Sequence, residues 1–294
     1  MTSRLPIPLS SPLASSQWLA DHLGTDGLVI LDATVLPGPL HEGEPSWLSG
    51  EDDFLVKGHI PGAIFADLLT AFSDPEGEHG FTKPSAAQFE RAASALGVDN
   101  STAVVVYDSS IGQWAARVWW LFRAFGLDNV AVLDGGLTTW KAESRPLELG
   151  HVSPRRAAFT ANPRPEFWVD KQYVESVVRG ETTAALVCGT SAREFAGETG
   201  QRTRLGHIPG SINVPAAQLV ARDTNTFVDA QTIRSTFAPA LEENRRVVSY
   251  CGGGIAAAVD ALALTLIGEQ NVAIYDGSLN EWVSDATAPL ATAS

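Results

Sequence analysis

The chain has 294 residues, 45% of them hydrophobic and 18% charged, a globular composition with room for two domains of about 150 residues. A net charge of −14 sets it against phosphate backbones and anionic membrane surfaces, and no apolar run nears the ~18 residues that a bilayer span needs, so neither a nucleic-acid nor a membrane partner is expected. The cysteines are Cys188 and Cys251, without C-x-x-C spacing, and the six histidines are scattered, which excludes a disulfide framework, a zinc knuckle or any metal site of that kind.

In chain order, the first sixteen residues are Pro/Ser-rich, carry one Arg and lack a continuous apolar core, so they do not read as a secretory signal and a reduced, cytoplasmic setting is expected. Strands are predicted over 28–31, 103–107 and 130–133. Between the last two, residues 113–125 place Trp114, Val118, Leu121, Phe122 and Phe125 at helical spacing. Residues 141–167 carry Pro146, Pro154, Pro163 and Pro165 with Arg145, Arg155, Arg156 and Arg164, the composition of an extended, wrapping linker. Strands follow over 185–187, 247–250 and 272–275, with a helix over 255–267 stopped by Gly268. That helix is apolar on nearly every side, interrupted chiefly by Asp260 and Thr265, and is expected to be buried. Apolar strands alternating with helices predict an α/β fold, each half a mostly parallel sheet with helices on both faces.

The two halves say nearly the same thing. Gly58-His59-Ile60-Pro61-Gly62-Ala63-Ile64 returns as Gly206-His207-Ile208-Pro209-Gly210-Ser211-Ile212, and Val104-Val105-Val106-Tyr107-Asp108 as Val247-Val248-Ser249-Tyr250-Cys251. Asn129 to Gly136 with Trp140 returns as Asn271 to Ser278 with Trp282. An offset near half the chain marks a duplicated domain rather than a solenoid. Features common to both copies, such as His59 and His207, read as scaffold. Features in one copy alone are candidates for chemistry.

Cys251 is such a feature. It ends a predicted strand and precedes Gly252-Gly253-Gly254 and a helix beginning near Ile255. Ligands of open α/β sheets sit at the carboxyl ends of strands. Three glycines let successive amides turn toward one atom, and the helix amino terminus adds partial positive charge there. Such a setting favours the thiolate, which is the nucleophile. The plainer reading is a buried structural cysteine before a glycine turn, but the first copy has Asp108-Ser109-Ser110-Ile111-Gly112 in this place, so the fold requires neither the thiol nor the glycines. A Cys-x5-Arg phosphatase loop would need arginine where Ala257 stands. Gly252-x-Gly254-x-x-Ala257 matches a dinucleotide fingerprint but lies late in the chain, with too few βα units after it.

With these residues in view, the chain resembles the two-domain rhodanese-like sulfurtransferases, the family of thiosulfate and 3-mercaptopyruvate sulfurtransferases. The resemblance runs over almost the whole sequence through Gly58 to Ala63, Arg117 to Arg123, Leu133 to Gly136, Glu194-Phe195 with Gly197, Gly206 to Pro215, Tyr250 to Ala256, and Tyr275 to Ser278 with Glu281-Trp282. It implies a catalytically silent domain over 1–145 with Asp108 at the cysteine position, a linker over 146–166, and a catalytic domain over 167–294. It further implies a ping-pong reaction with no cofactor. Cys251, cradled by Gly252, Gly253, Gly254, Ile255 and Ala256, takes sulfane sulfur from thiosulfate or 3-mercaptopyruvate as a persulfide. Cyanide or a thiol then accepts it, either thioredoxin or a low-molecular-weight thiol. The alternative within the family is a weakly active or non-enzymatic protein that binds sulfane sulfur.

The small, uncharged loop is similar to the mercaptopyruvate type, with Gly253 for its Ser and Ala256 for its Thr. Where the family has Asp-Ala-Arg and then another Arg before Phe, this chain has Cys188-Gly189-Thr190 and Glu194, so both donor-holding arginines are displaced. Arg193 is the candidate replacement, with Arg202 and Arg204 as others. Asp67 and His79 are the residues that the resemblance places on the wall of the interdomain cleft. Cys188, at a neighbouring strand end, is either a resolving thiol for the persulfide or a small buried hydrophobe.

Overall fold

A computed structural model of the chain describes residues 7–40, 46–242 and 245–292. In the first half the elements are β1 (Leu13–Ala14), α1 (Ser16–His22), β2 (Leu28–Asp32), β3 (Val35–Pro37), β4 (Trp47–Ser49), α2 (Glu51–Lys57), β5 (Ile64–Phe65), α3 (Ala86–Ala95), β6 (Ala103–Tyr107), α4 (Gln113–Ala124), β7 (Val130–Leu133) and α5 (Gly136–Ala142). The second half supplies β8 (Trp168–Val169), α6 (Lys171–Val178), β9 (Ala184–Cys188), α7 (Ala192–Phe195), β10 (Ile212–Asn213), α8 (Ala230–Leu241), β11 (Arg246–Tyr250), α9 (Ala256–Leu266), β12 (Val272–Tyr275) and α10 (Ser278–Ser284).

The strands form two five-stranded parallel sheets, β1-β7-β6-β2-β5 and β8-β12-β11-β9-β10. The orders are the same once the halves are matched, so the duplication read from the sequence is a duplication of topology. Each copy repeats its internal ties. The Ile60 amide donates to the Tyr107 hydroxyl at 3.2 Å, and the Ile208 amide to that of Tyr250 at 3.1 Å. The indoles of Trp140 and Trp282 donate to the carbonyls of Pro146 and Pro289, each at 2.8 Å. His59 and His207 stack on Phe54 and Phe195 under the shared Gly-His-Ile-Pro-Gly turns, a scaffold role in both.

The central strands are buried on both faces, which is why they read as continuous β-branched runs. The outer face of the first sheet packs Ile30, Val105 and Tyr107 around Trp140, and that of the second packs Leu186, Val248 and Tyr250 around Trp282. The inner faces share one core. In it α4 packs against α9, and apolar contact is continuous from Val104 and Trp119 to Leu262 and Val247. This shared layer explains the all-round apolar character of α9, whose residues 257–264 are all buried, Asp260 included. The edge strands β1, β5, β8 and β10 have two residues each, too short to show any periodicity in the sequence.

Residues 151–164 run along the first half without regular structure, before a single 3-10 turn at Pro165–Phe167. Phe159 is buried there, the Ala161 amide donates to Glu90, and Arg164 forms a two-pronged pair with Asp128.

Candidate active site

Cys251 follows β11 directly, and residues 252–255 bend once before α9 begins at Ala256. The amino terminus of α10 braces this loop from behind. The Cys251 amide donates to the Ser278 hydroxyl at 3.1 Å, and that hydroxyl donates to the Tyr275 carbonyl at 2.8 Å. The amides of Leu279 and Asn280 donate to the carbonyls of Cys251 and Gly252 at 3.0 and 2.9 Å. Ser278 holds this position at φ 49°, a left-handed conformation uncommon for a residue with a Cβ; the matching residue in the first copy is Gly136, at φ 52°. Among the described residues, no protein acceptor takes the amides of Gly252, Gly253, Gly254 or Ile255.

From the other half, Arg117 reaches across to support the loop. It is fully buried, donates to the Phe81 carbonyl at 2.7 Å and to the Asp276 carboxylate at 2.6 Å, and approaches the Gly254 carbonyl at 3.4 Å. The second oxygen of Asp276 accepts from the Lys83 amide at 2.8 Å. Gly254 sits at φ 77°, and a Cβ there would lie 3.0 Å from both the Arg117 guanidinium and the Asp276 carbonyl, so only glycine fits.

In front of the loop opens a cavity of about 960 Å³ lined by both halves. Trp47, Phe81 and Trp114 form an aromatic wall opposite Cys251, with Trp47 set edge-on to Trp114 at 5.0 Å between ring centres. Thr190, Ser191, Glu194, Arg202 and Asn280 line the other side. Cys251 is 3% exposed, so its sulfur meets the cavity through a narrow opening. A terminal nitrogen of Arg202 abuts Gly252, where any Cβ would collide with it, and the Arg202 Nε donates to the Asn280 side-chain oxygen at 3.0 Å.

The first copy shows what this loop shape holds. The Asp108 carboxylate, at the cysteine position, is fully buried in its own loop. One oxygen accepts from the amides of Ser110 and Gly112 at 2.8 and 3.0 Å, the other from Trp114 and Ala115 at 2.9 and 3.0 Å. Burial pushes this carboxyl's pKa up while the four amides pull it down. The two loops differ in one respect. The left-handed residue of the first is Gly112, whereas that of the second is Gly254, one place earlier in the matched register.

Cys251 and its loop, Gly252, Gly253, Ile255 and Ala256, thus lie together at the cavity, with Gly254 behind them. The other candidates fall elsewhere. Arg193 points to solvent, 72% exposed, beside Glu198 at 3.4 Å, and Arg202 takes the place at the cavity that was expected of it. The reason is local: α7 has only four residues, and Arg193 lies on its outer side. Arg204 is held by the carbonyls of Asp285 and Ala288. Asp67 closes its own turn, accepting from the Leu69 and Thr70 amides at 3.0 and 3.2 Å, and does not line the cavity. His79 lines a separate interdomain cavity of about 420 Å³ with Lys83, Trp168 and Glu281. Cys188 packs with Ile208 and Tyr250 on the outer sheet face, whereas Cys251 belongs to the inner core, so the two sulfurs are on opposite sides of the sheet. Burial pushes the Cys188 thiol up to about 11, and its sulfur lies 3.1 Å from the Thr190 hydroxyl. These facts fit the small buried hydrophobe and not the resolving thiol.

Ser278, Asn280 and the Arg117–Asp276 clasp were not among the expected site residues. A signal existed for two of them. The first copy has Gly136 and Thr138 where the second has Ser278 and Asn280, the same kind of asymmetry that singled out Cys251. Among the described residues, no group of three His, Cys, Asp or Glu side chains could hold one metal ion, and no helix is long and apolar enough to cross a membrane.

A parallel-sheet unit duplicated about a shared helical core, with Cys251 after a strand end at a cavity, defines a class that the comparisons with known proteins identify. The rhodanese-like domain family model matches residues 15–143 and 191–285. The chain is 33% identical over 279 residues to the 3-mercaptopyruvate sulfurtransferase of Escherichia coli, covering 94% of this chain and 96% of that protein. It is 32% identical over 283 residues to the thiosulfate sulfurtransferase of Gallus gallus, covering 93% and 94% respectively. The crystal structure of SseA from Escherichia coli superposes with a TM-score of 0.80 at 31% identity, over 92% of this chain and 99% of that one. The chain belongs to the two-domain rhodanese-like sulfurtransferases.

Proposed function

We propose that the chain is a sulfurtransferase in which Cys251 carries sulfane sulfur as a persulfide from thiosulfate or 3-mercaptopyruvate to a thiol or cyanide. Relatives named for each donor are almost equally similar, so the donor is not chosen by overall identity. The catalytic domain is the second, over 167–294, and the domain over 1–145 is silent because Asp108 fills its loop.

The observation that supports this reading is the buried carboxylate of Asp108, ringed by four loop amides. Matched residue for residue, the loop after β11 offers the amides of Gly253, Ile255 and Ala257 to whatever anion extends from position 251. A persulfide is such an anion, and amides already pointed at it act in the manner of an oxyanion hole. In the first step the Cys251 thiolate attacks the outer sulfur of the donor. The bond from that sulfur to the remainder of the donor breaks, and its electron pair leaves with sulfite or with the pyruvate carbon, which is then protonated. In the second step the acceptor attacks the same sulfur and Sγ departs as thiolate. No net oxidation occurs, which accords with a site needing no cofactor.

Mass spectrometry of the intact protein after exposure to either donor tests this. One added sulfur on Cys251, absent from Cys251→Ser, is the expected result, with transfer to cyanide falling at least ~10³-fold in that variant. A reactive Cys251 that never gains sulfur from either donor would overturn it.

A further inference from the structure

Arg202 and Glu194 are the only charged side chains among the described residues that line the cavity before Cys251. They stand side by side, Nη1 to Oε1 at 3.9 Å, well beyond the ~2.8 Å of a charge-assisted hydrogen bond. Each is fixed from its other side. The Arg202 Nε is tied to Asn280, whose amide is bonded to the catalytic loop, and one terminal nitrogen abuts Gly252. The Glu194 Oε2 accepts from the amide and hydroxyl of Ser191 at 3.3 and 2.9 Å, in a capping box that holds α7. What remains without a hydrogen-bond partner among the described residues is the two terminal nitrogens of Arg202 and the Glu194 Oε1, on residues that line the cavity beside the nucleophile's neighbour.

A wall of this kind carries no net charge, so it offers no general attraction to an anion. Its complement is a small molecule with opposite charges close together, a carboxylate for Arg202 and an ammonium for Glu194. Resting on the persulfide reading above, we propose that Arg202 and Glu194 form a subsite for a zwitterionic aminothiol acceptor, an α-amino acid carrying a thiol. With carboxylate and ammonium so held, the thiol lies against the loop next to Cys251. Its thiolate bonds to the outer persulfide sulfur, the bond from that sulfur to Sγ breaks, and the electron pair returns to Sγ. The product is the amino-acid persulfide, and no oxidant or reductant is consumed.

The test compares cysteine with 3-mercaptopropionate, which has the thiol and carboxylate but no ammonium, as acceptors of sulfur from the preloaded enzyme. The readout is the ratio of kcat/KM for the two in the parent, divided by that ratio in Glu194→Gln; intrinsic thiol reactivity cancels. Loss of the ammonium contact is expected to lower the preference for cysteine about tenfold, while Arg202→Met weakens both acids by a similar factor. A preference unchanged in Glu194→Gln, or an Arg202→Met enzyme that uses both acids as well as the parent does, overturns the proposal. Transfer from the parent enzyme to cyanide, which carries neither of the charges that the subsite is proposed to hold, reports persulfide formation. Failure there refutes the persulfide reading itself, whereas transfer to cyanide with no discrimination among the acids refutes only the subsite.

Discussion

The loop after β6 and the loop after β11 hold the same place in the duplicated fold, differ in which residue is left-handed, and end in different chemistry. Both leave a strand end, bend over four residues and enter a helix of the shared core. The first encloses the carboxylate of its own Asp108 with four amides. The second carries a thiol, leaves the amides of residues 252–255 without protein acceptors among the described residues, and opens on a cavity. The fold places such a loop twice, and on the function proposed above the side chain at its first position decides whether the cradle is closed or available. The contrast continues nine residues after the first position of each loop. Arg117 and Asp260 are equivalent positions, both fully buried. Arg117 reaches the other half and clasps Asp276, whereas both oxygens of Asp260 lack a partner. Room for that orphan is made by Gly189, where an added Cβ would lie 2.8 Å from its carboxyl.

The strongest way to break this comparison is at the clasp. Removing one member of a buried ion pair leaves the other charge uncompensated, so Arg117→Ala is expected to cost about 3–5 kcal/mol in urea unfolding and to slow sulfur transfer by loosening the Gly254 turn. A variant as stable as the parent would show that the halves are held by the apolar core alone. Next, Asp108→Ala strips four amides of their acceptor and is expected to cost about 2–3 kcal/mol. The emptied cradle then becomes a site for a small anion, and formate is expected to raise the Tm of this variant and not that of the parent. No effect of formate would deny that the cradle is anion-selective.

Asp260 gives the smallest effect and the clearest pH signature. Burial, with no compensating partner, holds its carboxyl well above the usual range. A carboxyl that keeps its proton longer when folded favours the folded state at low pH, and that advantage is lost as pH rises above the unfolded value of ~3.9. Asp260→Asn is therefore expected to be more stable than the parent by about 1–3 kcal/mol at pH 8, with the gap closing toward pH 4. A gap that does not change with pH would mean that Asp260 has found a partner in solution.

The amino-acid sequence by itself determined the duplicated α/β architecture, the buried strands, the all-apolar α9 and the placement of Cys251 at a strand end before a tight loop. These follow from periodicity, from turn residues and from the asymmetry between two copies, all of which act over a few neighbouring positions. Tertiary structure alone decided which cation serves the cavity, because Arg193 and Arg202 are equally charged in sequence and differ only in where a four-residue helix points them. It also turned Cys188 to the far side of the sheet and left Asp67 and His79 outside the cavity. Arg117 joined Asp276 across 159 positions, a contact with no local trace. Local chemistry sets which groups a segment can offer, but the direction each side chain leaves the backbone, and what it meets, depends on elements brought together only by burial of the shared core.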